Sequence, residues 1–140
     1  MAYSTVDDIV KLIPESTLVE LTDDGATGSV DEAVAAEAIS QADAEIDSYC
    51  GGRYGVPLSP APELVRKLSA DIAIYHLYSR RVAQMPEARR DRYRDAVRLL
   101  ESIARGTVTL GAAASAADVT ETNRTDGGEN TFTRGSLLGF

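Results

Sequence analysis

Residues 29–52 read SVDEAVAAEAISQADAEIDSYCGG, and this stretch decides the fold. Ser29-Val30-Asp31-Glu32 has the form of a capping box, in which a hydroxyl accepts an N–H of the first turn and an acid three residues on reaches back. Val34, Ala38, Ala42, Ile46 and Tyr49 follow at spacings of three and four, which places them on one side of a helix. Gly51-Gly52 supplies a residue able to take positive φ after the last turn, so the helix is expected to stop near Cys50.

Working outward, Arg53 to Leu58 reads as a connector. Ser59-Pro60-Ala61-Pro62 then opens a further helix, because proline is tolerated in a first turn whose N–H groups lack partners anyway. Leu64, Leu68, Ile72, Tyr75, Tyr78 and Val82 continue one face of it. Pro86 opens the last helix, whose stripe of Tyr93, Ala96, Val97, Leu100, Ile103 and Ala104 is the cleanest in the chain, and Gly106 ends it. On the other side, Thr5-Val6-Asp7-Asp8 resembles a second capping box, with a short helix to about Ile13. Pro14 breaks that helix and starts another turn through Leu18 and Leu21, before a loop at Asp23-Asp24-Gly25 and Thr27-Gly28.

Thr107-Val108-Thr109-Leu110 is β-branched at three positions and is expected to allow a short strand. After Gly111 the composition changes. Residues 112–131 are small and polar with a single valine, too few apolar groups to offset the entropy of ordering, and Phe132, Leu137, Leu138 and Phe140 reappear at the end. The reading is therefore all-α: a small bundle of about four helices over 1–111 with a possible short strand, followed by a flexible arm over 112–140 with an apolar tip. Ile46, Tyr49, Leu68, Ile72, Tyr75, Tyr93, Val97, Leu100 and Ile103 are the expected helix core.

Several classes fall away on composition. No apolar run approaches the roughly 20 residues that cross a bilayer, and the first residues lack a secretory pattern, so synthesis in the cytoplasm and no membrane partner are expected. A single Cys50 and a single His76 give neither a disulfide nor a zinc set, and no cofactor is expected. Net charge is −8, unevenly placed. Residues 1–50 carry 12 acids and one base, a balance of −11; residues 51–106 carry 11 bases and 6 acids, a balance of +5; and residues 107–140 add −2. Oppositely charged halves suit head-to-tail contact between copies and do not suit a nucleic-acid binder, whose domain is usually basic throughout.

Catalytic readings find little to hold. His76 lacks a visible nucleophile or orienting carboxylate and reads as an ordinary helix residue. Cys50 closes a helix, whereas thiols are activated at helix N-termini, so a buried small hydrophobe is expected. Asp43 and Asp47 share a helix face, yet no loop adds further oxygens for a metal, and they read as a solvated acidic face. Gly51-Gly52-Arg53 lacks the strand before it and the Gly-Lys-Ser/Thr ending of a phosphate loop. Arg89, Arg90, Arg92, Arg94 and Arg98 load the last helix with positive charge; pairing with Asp91 and Asp95 would absorb part of it at about 0.2 to 0.5 kcal/mol each.

Glu45-Ile46-Asp47-Ser48-Tyr49, Gly52-Arg53-Tyr54 with Pro57-Leu58, and Asp71-Ile72-Ala73 with Tyr75 and Leu77-Tyr78 form an ordered series. It continues through Arg92-Tyr93, Ala96, Leu100, Ile103-Ala104, Gly106 and Leu110-Gly111. In order and spacing this resembles the Mu-like phage family of small head-region proteins, known as a domain of unknown function, over about residues 3–111. That family is similar in turn to the helical head–tail connectors, or neck adaptors, of long-tailed phages.

The resemblance implies a non-enzymatic virion protein of the neck. It would form a ring of about twelve copies under the portal protein and above a stopper or tail-completion protein, with double-stranded DNA passing through the lumen without specific binding. Arg53, Tyr54, Arg89, Arg90, Arg92, Arg94 and Arg98 are then the expected subunit interface. Phe132, Leu137, Leu138 and Phe140 are the expected docking tip on the portal or a neighbour. The alternative is a monomeric or dimeric helical binding module acting in head morphogenesis.

Overall fold

A computed structural model describes residues 2–80 and 84–111. Five helices run in the order α1 (Val6–Val10), α2 (Glu15–Thr22), α3 (Glu32–Cys50), α4 (Glu63–Ser79) and α5 (Glu87–Ala104). The expected first helix stops early, at Val10. Its capping box forms, with Thr5 N–H donating to Asp8 Oδ2 at 2.9 Å and Asp8 N–H donating to Thr5 Oγ1 at 3.3 Å. Pro14 sits extended at φ −61° and ψ 147° as the N-cap of α2, so Lys11–Ile13 can only form a turn. One proline thus separates two helices where one and a following turn were read.

The N-cap of α3 is Asp31, not Ser29. Asp31 Oδ1 accepts from the N–H groups of Ala33 and Val34, and a carboxylate there also meets the positive end of the helix dipole. The loop before it is tied by Asp23, whose carboxylate accepts from Thr27 N–H at 2.8 Å and Gly28 N–H at 2.7 Å. At the other end, Gly51 keeps φ at −63°, and the chain turns through Arg53 N–H and Tyr54 N–H, both donating to the Cys50 carbonyl. The expected positive φ is therefore absent from Gly51; among the described glycines it occurs at 28, 106 and 111. The fourth helix begins at Glu63, after Pro62, three residues beyond the expected start at Pro60.

No strand forms among the described residues. The segment expected to supply one, Thr107–Leu110, has no described neighbour to pair with. It folds back instead, Thr107 and Val108 N–H donating to the Ser102 carbonyl and Leu110 N–H to the Tyr54 hydroxyl.

The core lies around α4, which packs against each of the other four helices. Ile46, Leu68, Ile72, Leu100 and Ile103 are buried as expected, joined by Ile9, Leu18, Val65, Ile74 and Leu77. Tyr49, Tyr75, Tyr93 and Val97, also read as core, are only half-buried. Tyr75 instead stacks on Tyr93 at the flank, ring centroids 3.8 Å apart and planes within 8°. Each fully buried Leu or Ile contributes roughly 1.5–3 kcal/mol from removal of apolar surface from water. No helix among the described residues is long and apolar enough to cross a membrane.

Candidate functional site

The five arginines of α5 divide into two sets. Arg89 and Arg92 turn toward Asp71 of α4, with guanidinium nitrogens 3.8 and 3.9 Å from Asp71 Oδ1. Lys67, one turn earlier on α4, donates to Asp71 Oδ2 at 3.0 Å. Asp71 has 3% of its side chain exposed, so its charge is held inside the body by three cations. Arg89 is itself largely buried and also donates to the Leu12 carbonyl at 2.9 Å, fastening α5 to the turn after α1. Arg92 stays half-exposed even so. Arg90, Arg94 and Arg98 are exposed at four-residue spacing, and that spacing aligns them in one row along the helix. Of these, Arg94 meets Asp91 at 3.3 Å, a surface pair of little energetic weight.

Arg53 and Tyr54 face the body. Tyr54 is buried and accepts from Leu110 N–H. The Arg53 guanidinium lies against Gly106, where a Cβ would stand 2.8 Å from Cζ; φ is +83° there, so only glycine fits on both counts. Within one subunit these two residues join the connector after α3 to the end of α5. Phe132, Leu137, Leu138 and Phe140 lie outside the described residues.

A second polar centre bridges three helices. Glu45 of α3 accepts the Tyr93 hydroxyl of α5 at 2.9 Å and stands 3.3 Å from His76 Nε2 of α4. The Tyr93 hydroxyl is pushed up to about 12, by burial first and then by the Glu45 carboxylate. His76 also borders a cleft of about 290 Å³ with Val34, Glu37, Gln41 and Arg80. Cys50 is wholly buried and its thiol is raised to about 11 by desolvation, which suppresses the thiolate a nucleophile would need.

Asp43 and Asp47 are not a solvated face. Asp43 accepts from Tyr3 N–H at 2.9 Å and from Ser69 Oγ at 2.6 Å, while Asp47 Oδ1 accepts the Tyr3 hydroxyl at 2.5 Å. The Tyr3 hydroxyl accepts in turn from Leu58 N–H at 2.8 Å, and the Ser69 and Ser4 hydroxyls share a bond of 2.7 Å. This network clasps the N-terminal segment to α3, α4 and the connector. Burial raises Asp43 above the ordinary carboxylate value, opposed by the bonds from Ser69 and Tyr3; burial, then Asp47, raises Tyr3. The shared helix face of Asp43 and Asp47 was legible in the sequence, but no local signal announced a tyrosine some forty residues away as their partner. A groove of about 650 Å³ runs beside the clasp, lined by Val6, Ala36, Ile39, Ser40, Ala44, Asp47 and Pro57 among others.

Among the described residues no group of three or more His, Cys, Asp or Glu side chains is placed to hold a metal ion. What the described residues build is a set of internal clasps, an exposed basic row and open grooves beside the N-terminal clasp and His76.

Comparison with known proteins adds an independent line. The family model described as Bacteriophage Mu, Gp36 matches residues 3–127. The chain is similar to the "Mu-like prophage FluMu protein gp36" of Haemophilus influenzae, at 33% identity over 137 residues, covering 98% of this chain and 92% of that protein. It is also similar to "Gene product J" of Escherichia phage Mu, at 34% identity over 112 residues, covering 79% of this chain and 77% of that protein.

Proposed function

The chain belongs to the bacteriophage Mu Gp36 family and on that ground is a phage structural or morphogenesis protein; within that class we propose that it is the head–tail connector. On this reading about twelve copies close a ring in the virion neck, between the portal protein and a stopper or tail-completion protein. The ring assembles in the host cytoplasm and performs no chemistry. DNA passes through its lumen without specific contact, because acidic groups repel phosphates.

The observation that carries the reading is the sorting of charge on one helical body. Arg90, Arg94 and Arg98 stand exposed in a row on α5, while Asp7, Glu15, Glu20, Glu32 and Glu37 stand exposed on the first three helices. A closed ring needs two different faces per subunit that fit each other, and complementary potentials fix the register of such contacts. Arg89, Arg92, Arg53 and Tyr54 then serve by holding α5 and its ends in place within each copy, and Arg90, Arg94 and Arg98 carry the contact itself. The apolar tip at Phe132, Leu137, Leu138 and Phe140 docks on the portal or a neighbouring copy.

Native mass spectrometry of the purified protein with portal tests this. Joint reversal of Arg90→Glu, Arg94→Glu and Arg98→Glu is expected to abolish co-migration with portal while helical circular dichroism is retained. Removal of residues 132–140 is expected to do the same. Unchanged assembly with unchanged salt dependence in the charge-reversed variant overturns the assignment of the basic row, and a wild-type protein that never associates with portal overturns the connector reading.

A further inference from the structure

The groove between the N-terminal segment and α3 shares Ser4, Asp43 and Asp47 with the clasp beside it but is otherwise open. Its volume of about 650 Å³ falls within the range of binding clefts, roughly 300–1,000 Å³. Ala36, Ser40 and Ala44 recur every four residues on the exposed side of α3, and their small side chains leave it open. Pro57 lines it too, and the preceding Val56 is one of two large apolar side chains left exposed among the described residues. Asp47 contributes the charge: its Oδ1 takes the Tyr3 hydroxyl, and no donor among the described residues reaches its Oδ2.

We infer that this groove is the seat of the chain's own segment 132–140, with Phe132, Leu137 and Leu138 against the small residues of α3 and Arg134 paired with Asp47. The chemistry matches on both counts. The segment FTRGSLLGF carries four large apolar side chains and a single charged one, Arg134, and the groove combines exposed apolar surface with acid. The path is open as well. Leu110 N–H is bonded to the Tyr54 hydroxyl, so the chain leaves the described body from the same connector that lends Pro57 to the groove. The 20 residues of 112–131 reach up to about 65 Å when extended, more than the groove demands. A tethered segment also meets its own groove at an effective concentration in the millimolar range for short linkers, above that of any second copy in dilute solution.

The inference rests on the docking role proposed for the tail: the free protein shelters its apolar tip in the groove, and portal draws it out. Full-length protein carrying Ala44→Cys with Leu138→Cys, oxidised by glutathione disulfide at low concentration, tests the seat without portal. An intrachain disulfide is expected at roughly ten times the rate seen for a control pair, Ala88→Cys on α5 with Leu138→Cys, because a seated tip raises the local thiol concentration. Cys50 is fully buried and stays out of the exchange. Adding Ala36→Trp, which fills the groove from the solvent side, or Arg134→Glu is expected to erase the advantage. Equal rates at Ala44 and Ala88 overturn the seat, and disulfide-linked dimers in place of the intrachain product overturn the choice of the chain's own segment. Portal co-migration is scored separately on the wild type, so failure of the connector reading and failure of the groove are told apart.

Discussion

Helices α4 and α5 are nearly equal in length, 17 and 18 residues, and both read from the sequence as one-faced amphipathic helices, yet the bundle uses them in opposite ways. Buried positions on α4 run without interruption from Leu68 to Ile74 and include a carboxylate, whereas α5 buries only Ala96, Leu100 and Ile103. The difference teaches where each helix spends its charge. Asp71, on the crowded helix, is met by a largely buried Arg89 and a half-exposed Arg92 from α5, and the arginines of α5 that do not reach it are the ones left for a partner.

The sharpest way to break this contrast is truncation at matched positions. Ile72→Ala on α4 is expected to cost about 3 kcal/mol in urea unfolding, since a fully buried branched side chain leaves a cavity that its neighbours fill only in part. Val97→Ala on half-buried α5 is expected to cost less than half as much; equal losses would mean that α5 is as much a core element as α4.

Next in size is Asp71→Asn, expected to cost about 2 kcal/mol because Arg89 keeps its buried charge while losing its counter-charge. Adding Arg89→Met is expected to recover part of the loss, which a double-mutant cycle reads directly. Strict additivity would show that the two charges do not speak to each other.

A smaller effect separates the clasp on α3 by pH. Burial raises Asp43 above its ordinary 3.8, so the folded state holds this proton more tightly than the unfolded chain. Its contribution to stability is then fully present below pH 3.8 and is lost as pH rises through the raised value. Comparing urea midpoints of the wild type and Asp43→Asn across this acid range is expected to show a fall in the wild type that the variant lacks. Parallel profiles would remove Asp43 as a titrating element.

Smallest of all is Arg94→Ala. Its side chain is 55% exposed and its partner Asp91 53%, so stability is expected to move by less than about 0.5 kcal/mol while portal association weakens measurably. A large loss of stability would place this arginine with the internal clasps.

How far the sequence could be read follows the same division. α5 was legible almost to the residue, Pro86 before it and Gly106 after it, because a helix with one wet side writes its period into the chain. α4 is legible as a helix, but its inner residues Val65, Ile74 and Leu77 fall off the stripe, since its middle, enclosed from Leu68 to Ile74, has no polar side to mark the rest. Asp71 stood in an apolar run without a sequence neighbour to explain it beyond Lys67, and its partners arrive from a different helix. Asp43 and Asp47 read as a solvated pair from the sequence, because the group that covers them is Tyr3, remote along the chain.

By itself the chain determined that prolines and a few caps would punctuate helices, that acid and base would be segregated along its length, and that apolar residues would return after a polar stretch. These are properties of composition and of contacts within a few residues, where the backbone's local preferences decide. Which arginines turn inward, which carboxylates are covered, and where a groove is left between α1 and α3 were decided only when the helices packed. Such matters depend on groups tens of residues apart meeting in space, and no local period encodes that meeting.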